Sequence, residues 1–296
     1  MNRPQSSTWA TGWRAHRAFS APAVILAAMA LVAHGGSADE RAEREKQSIT
    51  AQPLEAPAVL LVERGVPVSE GEFPFAVALD VQGQVAKCTG ALIADQWVLT
   101  AAHCGCLRKA IVGRTDLRRG DGQRLDIDRG FKHAGFDQTT GANDIGLHHL
   151  KNPASGVPPV LRVRSNGWQL QHSSVTVMGW GALENGQHPP RLHEATLDTV
   201  ANASCAHDHL GRWVITDEHL CTSSVAGGVL LGDSGGPVIM RPIPPATGPA
   251  QLVAVIGRDG GFPKDTSPDI HARVNLHQAW IADIQAGRPR NVTGCP

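Results

Sequence analysis

The sequence lacks an excess of charge of either sign, because 27 lysine and arginine residues face 27 aspartate and glutamate residues. A chain without a dominant charge has no general attraction to nucleic acid or to an anionic membrane, so we expect neither as a partner. Internal repeats and low-complexity tracts are lacking as well. Apolar residues nevertheless make up 42% of the chain and charged residues 18%, which is typical of a folded globular protein.

The sequence also lacks, near its start, an apolar run that is long enough for a transmembrane helix. The run that is present, Ala21–Ala33, is too short to span a bilayer. Three arginines and no acidic residue precede this run, and the small residues Gly36 and Ala38 follow it. The arrangement is typical of an export signal, with an uncleaved anchor or a buried helix as weaker alternatives. We therefore predict a signal peptide over residues 1–38, a secreted or periplasmic protein, and no membrane association once the signal is removed.

Residues 39–61 lack a core-forming periodicity. They begin charged and end in a stretch rich in proline and alanine, which is typical of a propeptide or linker. From about Val62 the pattern changes to short apolar runs that are separated by Gly, Pro, Asn and Asp. A folded domain is therefore predicted over residues 62–296.

The apolar runs of this domain have the length and the β-branched or alternating composition of strands. Only residues 275–286 show helical spacing, with Leu276, Trp280, Ile281 and Ile284 on one side. Strands nearly throughout, with one terminal helix, predict an all-β sandwich or barrel. The predicted strand segments are 75–81, 91–102, 110–113, 174–181, 236–240 and 252–257.

Three short motifs contain the residue types that hydrolytic chemistry requires. GDSGGP at 232–237 places Ser234 among glycines, in a turn that can expose its hydroxyl and aim the N–H groups of Gly232 and Ser234 at an oxyanion. TAAHC places His103 directly after an apolar run, and NDIGL places Asp144 at the start of another. Taken singly, each motif has an ordinary interpretation: a glycine-rich turn, a structural histidine and a strand-capping acid.

Taken together and in this order, TAAHC, NDIGL and GDSGGP resemble the signature blocks of the chymotrypsin/trypsin family of serine proteases. The segments 90–104, 178–181 and 193–205 are similar to the family as well, so the likeness covers about 62–286. The resemblance implies an all-β fold of two six-stranded antiparallel β-barrels with a C-terminal helix, and a barrel boundary near 160–175. It also implies a secreted endopeptidase that cleaves protein or peptide substrates through an acyl-enzyme, without a metal or cofactor.

The resemblance assigns a role to each motif residue. Ser234 would be the nucleophile, His103 the general base and Asp144 the acid that orients His103. The N–H groups of Gly232 and Ser234 would form the oxyanion hole.

The six cysteines fit this resemblance, because export would place them in an oxidising compartment where disulfides persist. The family pattern implies two bridges, Cys88 with Cys104 and Cys205 with Cys221. Cys106 and Cys295 match no family bridge. The sequence leaves open whether they pair with each other, pair with another chain or stay free.

The residues at the expected substrate pocket depart from the trypsin pattern. Gly228, followed by Val229, stands where trypsins carry an acid, which favours apolar over basic side chains in the substrate. Asp269 stands on the expected pocket wall, where it would either attract lysine and arginine or be shielded from substrate. The sequence therefore predicts a specificity that is not strictly trypsin-like.

A second departure concerns the stretch that pairs with the substrate backbone in relatives. Gly257, Arg258 and Asp259 replace the usual Ser-Trp-Gly, so the hydroxyl that supports the catalytic acid is missing. Leu230 and Phe262 stand at the positions of a pocket disulfide that many relatives carry, which leaves the pocket loops less restrained. The replacement of Ser-Trp-Gly, together with the activation site described next, supports the alternative of a catalytically weak or silent relative that acts as a binding protein.

A third departure concerns activation. In relatives, cleavage frees an apolar N-terminus whose ammonium pairs with the acid before the catalytic serine, here Asp233. The resemblance puts that N-terminus at Val62, directly after Leu61 rather than after a basic residue. We expect a zymogen and an activating protease with an apolar preference. The alternatives are a different register of the N-terminus and an unconventional activation; a cut after Arg64 would suit a trypsin-like activator but would leave the N-terminus about three residues short.

Two other hydrolytic chemistries are weaker alternatives: an esterase on the same fold and a metal-dependent enzyme. His103, Cys104 and Cys106 could be imagined as zinc ligands, and so could His148 with His149. No second Cys/His pair lies at the usual zinc-ligand spacing, so no metal is expected.

Overall fold

The computed structural model of the protein describes residues 65–162, 173–183, 186–208, 213–223, 228–242, 247–260 and 267–295. The predicted signal peptide (1–38), the predicted propeptide or linker (39–61), Val62 and Phe262 lie outside the described residues. Residues 163–172 of the predicted barrel boundary lie outside them as well.

Short strands are the main regular secondary structure of the described residues. Their bounds are β1 Val66–Pro67, β2 Ala76–Leu79, β3 Cys88–Ala94, β4 Trp97–Thr100, β5 Lys109–Val112, β6 Gln123–His133, β7 Gly146–Leu150, β8 Leu161–Arg162, β9 Ser174–Gly179, β10 His193–Val200, β11 His219–Thr222, β12 Pro237–Met240, β13 Gln251–Arg258, β14 Asp269–Arg273 and β15 Val292–Cys295. Each of the six predicted strand segments overlaps at least one of these strands.

Strands β2 to β7 form the first barrel. They pair antiparallel in the order β6-β5-β2-β3-β4-β7, and β6 pairs with β7 to close the ring. β2 is buried along its whole length, because its alanine, valine and leucine side chains pack into the barrel core. The predicted strand at 91–102 is a hairpin instead: Ala94 pairs with Trp97 across a tight turn, which separates β3 from β4.

Strands β9 to β14 form the second barrel. They pair antiparallel in the order β10-β11-β14-β13-β12-β9, and β9 pairs with β10 to close the ring. Its interior is filled by buried valines, leucines and isoleucines such as Val177, Leu197 and Ile256. Two closed six-stranded antiparallel barrels confirm the predicted fold class.

The first and the last strand of the described chain each pair with the barrel that is formed by the opposite half of the chain. β1 pairs with β10 of the second barrel, and β15 pairs with β6 of the first. A disulfide between Cys106 and Cys295 fastens β15 to the first barrel, so the two cysteines that the sequence left unassigned pair with each other. The structure also contains the disulfides Cys88–Cys104 and Cys205–Cys221.

Two short helices lie among the described residues, α1 Asn202–Asp208 and α2 Gln278–Gln285. The sequence pattern did not predict α1, whereas α2 confirms the C-terminal helix. The first residues of the predicted helix instead form a 3₁₀ turn, Asn275–His277, whose tighter winding leaves Leu276 45% exposed and buries His277. Leu276 therefore does not share the buried side of α2 with Trp280, Ile281 and Ile284. Neither helix is long and apolar enough to cross a membrane.

Candidate active site

His103 and Asp144 lie side by side because they flank two neighbouring strands. His103 follows β4 in a 3₁₀ turn, and Asp144 precedes β7, which pairs with β4. Nδ1 of His103 lies 2.7 Å from Oδ2 of Asp144, and the backbone N–H of His103 donates to Oδ1 at 2.9 Å. The Asp144 side chain is 3% exposed and that of His103 is 25% exposed, so the carboxylate is held behind the ring.

The residue before Asp144 fixes the backbone that carries the carboxylate. Asn143 has a φ of 51°, a left-handed conformation that asparagine tolerates better than most residues. Its Nδ2 donates to the carbonyl of Gly135 at 3.1 Å, and its Oδ1 lies 3.2 Å from Nε2 of His277. These contacts fix the direction in which the chain enters Asp144.

Ser234 lies in a glycine-rich turn that leads into β12. Gly232 and Gly235 have φ values of 102° and 77°, which glycine adopts readily and other residues rarely do. A Cβ atom on Gly235 would lie 1.9 Å from Oγ1 of Thr100, so no larger residue fits there. The first barrel holds this turn, because Thr89 donates its N–H to the carbonyl of Ser234 and its hydroxyl to that of Gly232, each at 2.9 Å.

The same turn presents two backbone N–H groups. Within the part of the chain that the structure describes, the N–H groups of Gly232 and Ser234 have no hydrogen-bond acceptor. Between them, the buried carboxylate of Asp233 accepts the N–H of Gly181 at 2.8 Å and that of Leu230 at 3.0 Å. These bonds hold the peptide groups around Asp233, and the two amides remain for an oxyanion.

His103 and Ser234 line the same surface cleft. The other residues that line it are Gln138, Trp213, Val229, Leu230, Leu231, Ile256, Gly257, Arg258 and Asp259. Gln138, Trp213, Leu231 and Ile256 were not predicted from the sequence. Leu231 directly precedes Gly232, and Ile256 directly precedes Gly257, so proximity to the motifs could have indicated both. Gln138 and Trp213 belong to no motif and carry no such signal.

Asp269 lies behind the cleft wall rather than on its surface. The residue is 0% exposed, and its carboxylate oxygens accept the N–H of Val229 at 3.0 Å and that of Gly260 at 2.9 Å. Gly228, the predicted pocket floor, is buried directly before Val229. Of the two roles that the sequence left open for Asp269, this geometry favours a carboxylate that is shielded from substrate.

Gly257 faces Asp144 without offering it a hydroxyl. A Cβ atom on Gly257 would lie 3.6 Å from Oδ2 of Asp144 but 2.7 Å from the carbonyl of Ile270, which is too close for a side chain. A small cavity behind Asp144 is also lined by His219, whose pKa is lowered by burial. The carboxylate therefore depends on His103 for the hydrogen bonds described above.

Arg258 is held at the cleft by two contacts that are distant in sequence. Its guanidinium carbon lies 4.6 Å from the centroid of the Trp213 ring, and its Nη2 donates to the carbonyl of Gln138. The neighbouring Asp259 is exposed and also lines the cleft. The cleft thus combines an apolar wall next to Ser234 with two charged side chains beyond Gly257.

Among the described residues, no group of three or more histidine, cysteine or acidic side chains is arranged to hold a metal ion. Cys104 and Cys106, two of the conceivable zinc ligands, are bonded in separate disulfides. His148, a third, is 0% exposed within the first barrel.

A family model described as Trypsin matches residues 62–281 of the chain. Among solved structures, the chain is similar to neuropsin, described as a serine protease expressed in the limbic system of mouse brain, with a TM-score of 0.63 and 24% sequence identity. The match covers 75% of this chain and 98% of the neuropsin chain. At this identity the structural likeness establishes the fold alone.

Proposed function

Because the chain belongs to the trypsin family of serine proteases, we propose that it is an exported endopeptidase in which Ser234 attacks the carbonyl of the scissile peptide bond. His103 takes the proton of the Ser234 hydroxyl, and Asp144 holds His103 in the tautomer with a proton on Nδ1. The observation that carries this proposal is the 2.7 Å contact between Nδ1 of His103 and Oδ2 of Asp144, at a cleft that Ser234 also lines.

The reaction consists of two acyl transfers. Attack by Oγ of Ser234 gives a tetrahedral intermediate, whose oxyanion accepts the N–H groups of Gly232 and Ser234. Collapse of this intermediate expels the amine, which His103 protonates, and leaves an acyl-enzyme. Water then hydrolyses the ester with His103 again as the base. In related systems each oxyanion donor is worth about 3–4 kcal/mol of transition-state stabilisation.

Export and activation complete the proposed function. Residues 1–38 are the signal peptide and residues 39–61 the propeptide, and three disulfides support an oxidising compartment outside the cytoplasm. A protease with an apolar preference cuts after Leu61. The new ammonium of Val62 then pairs with Asp233, which already fixes the oxyanion turn through two backbone amides.

Labelling with a fluorophosphonate tests the catalytic assignment. In exported protein whose N-terminal sequence begins at Val62, we expect the reagent to modify Ser234 and no other residue, as located by mass spectrometry. Ser234→Ala should abolish labelling, whereas Ser174→Ala, which removes a hydroxyl that bonds Asp198 in the second barrel, should leave it unchanged.

Two results would contradict the proposal. Mature protein that resists the reagent would be a silent relative that uses the cleft for binding, the alternative that Gly257 and Arg258 favour. Labelled protein that turns over ester substrates but not the matched amides would be an esterase.

The apolar wall predicts the side chain that is preferred immediately before the scissile bond. We expect kcat/KM for a peptide with norleucine there to exceed that for lysine by at least about tenfold, because an ammonium placed against Val229 and Ile256 loses hydration without gaining a carboxylate. Norleucine has the four side-chain carbons of lysine without the terminal ammonium group, so the ratio of the two kcat/KM values isolates the effect of that group. A ratio below one would mean that Asp269 is accessible to substrate despite its two backbone hydrogen bonds.

A further inference from the structure

Arg258 carries a positive charge at the cleft that no described carboxylate neutralises. Its guanidinium packs on the ring of Trp213 and donates to the carbonyl of Gln138, and neither partner is charged. None of the ion pairs between described residues includes Arg258. The adjacent Asp259 therefore does not pair with it either.

Arg241 shows how the same protein neutralises a comparable arginine. Its guanidinium carbon also lies over an aromatic ring, 4.8 Å from the centroid of Phe73. Unlike Arg258, however, it forms ion pairs with Glu72 and Glu194. A ring and a carbonyl hold the Arg258 guanidinium in place and leave its charge for a ligand.

The free donors of Arg258 suit a carboxylate. Arginine presents its N–H groups in a planar fork that can bind both oxygens of a carboxylate. In Arg258, Nη2 bonds Gln138, whereas the buried Nε and the terminal Nη1 have no acceptor among the described residues. A terminal nitrogen is thus available to an acidic group that enters the cleft.

We propose that Arg258 makes the enzyme select substrates that carry aspartate or glutamate about two to four residues before the scissile bond. The inference rests on the proposed peptidase function. Arg258 ends β13 in the cleft that His103 and Ser234 line. An extended peptide that adds to this strand end carries the side chains that precede its scissile bond past the guanidinium. The substrate class is therefore a peptide with an apolar residue at the scissile bond and an acidic residue upstream.

Paired peptides that differ only by Glu or Gln at these upstream positions test the proposal. At low ionic strength we expect kcat/KM to be about tenfold higher for the Glu peptide, and high salt should reduce this ratio because exposed charges are screened. Arg258→Gln should bring the ratio to about one, and Arg258→Glu should favour Lys over Glu at the same position. Arg241→Gln is the matched control and should keep the wild-type ratio, because its charge is already paired outside the cleft.

The other possible results overturn either the inference alone or the proposed function together with it. A wild-type ratio of one with the peptides still cleaved, or an unchanged ratio in Arg258→Gln, overturns the inference and leaves the proposed function intact. Fluorophosphonate labelling of Arg258→Gln shows whether its catalytic cleft is formed. Affinities of the Ser234→Ala protein for the same peptides give a readout without turnover, and equal affinities for Glu and Gln would also overturn the inference. If wild type neither cleaves any peptide nor is labelled, the proposed function fails and the inference with it.

Discussion

Replacing Asp144 with asparagine should lower kcat for peptide hydrolysis by about ten-thousandfold while leaving the fold intact. The amide has nearly the shape of the carboxylate, but its NH2 group is a donor, so Nδ1 of His103 loses the acceptor that keeps a proton there. The other tautomer carries its proton on Nε2 and cannot accept the proton of Ser234. The imidazolium that forms during the reaction also loses a buried negative charge that lies 2.7 Å away. Steady-state kinetics on an amide substrate measure the loss.

Asp128 offers a matched control for this experiment. Its Oδ1 lies 2.6 Å from Nδ1 of His149, so it forms a second histidine–aspartate pair, on the first barrel and away from the cleft. The Asp128 side chain is 38% exposed, which weakens its pairing. Asp128→Asn should therefore keep kcat within about twofold of wild type. If Asp144→Asn also stayed within about tenfold, the contact between His103 and Asp144 would not be what activates Ser234.

Local sequence pattern predicted strands that are nearly continuous apolar runs. It missed strands in which polar or charged residues interrupt the apolar ones, whether the strand is buried, as β11 and β14 are, or partly exposed, as β6 is. β2 and β12 are nearly continuous apolar runs, and both were predicted. β6 is the longest strand, yet polar and charged residues interrupt its apolar positions and only one of its 11 residues is fully buried. A segment of that composition resembles a loop when its pairing with β5 and β7 is not known. The resemblance to a family, rather than periodicity, supplied the two-barrel architecture.

The residues of the candidate site were likewise predicted where a local motif contains them and missed where only long-range contacts bring them together. The motifs placed His103, Asp144 and Ser234 together because each motif is local and their order is characteristic. The environment of Arg258 depends on a bond to Gln138, 120 residues away, and on the ring of Trp213. The shielding of Asp269 likewise depends on the N–H of Val229, 40 residues away. Contacts of this kind follow from how strands meet in space, and no local pattern encodes them.

Acid should destabilise the protein strongly, because its barrels bury histidines that carry no charge. Burial lowers the pKa of His148 to about 4 and that of His271 to about 3, from an ordinary value of 6.5. Below about pH 6.5 the unfolded chain therefore binds protons that the folded protein does not bind, so the free energy of unfolding falls as the pH drops from 6.5 towards 4. Each of these histidines removes about 1.4 kcal/mol per pH unit in that range, or about 3 kcal/mol by pH 4.

Replacing His148 with leucine should raise the free energy of unfolding at both neutral and acidic pH. Both ring nitrogens of His148 are buried without a hydrogen-bond partner among the described residues, so their removal should gain about 1–3 kcal/mol at pH 7. By pH 4 the gain should grow by a further amount of about 3 kcal/mol, because leucine takes up no proton when the chain unfolds. Urea unfolding at pH 7 and pH 4 measures both effects. The remaining acid sensitivity belongs to His271 and the other buried histidines. A variant that is less stable than wild type at pH 7 and loses stability equally steeply on acidification would show that the folded protein protonates or hydrogen-bonds His148.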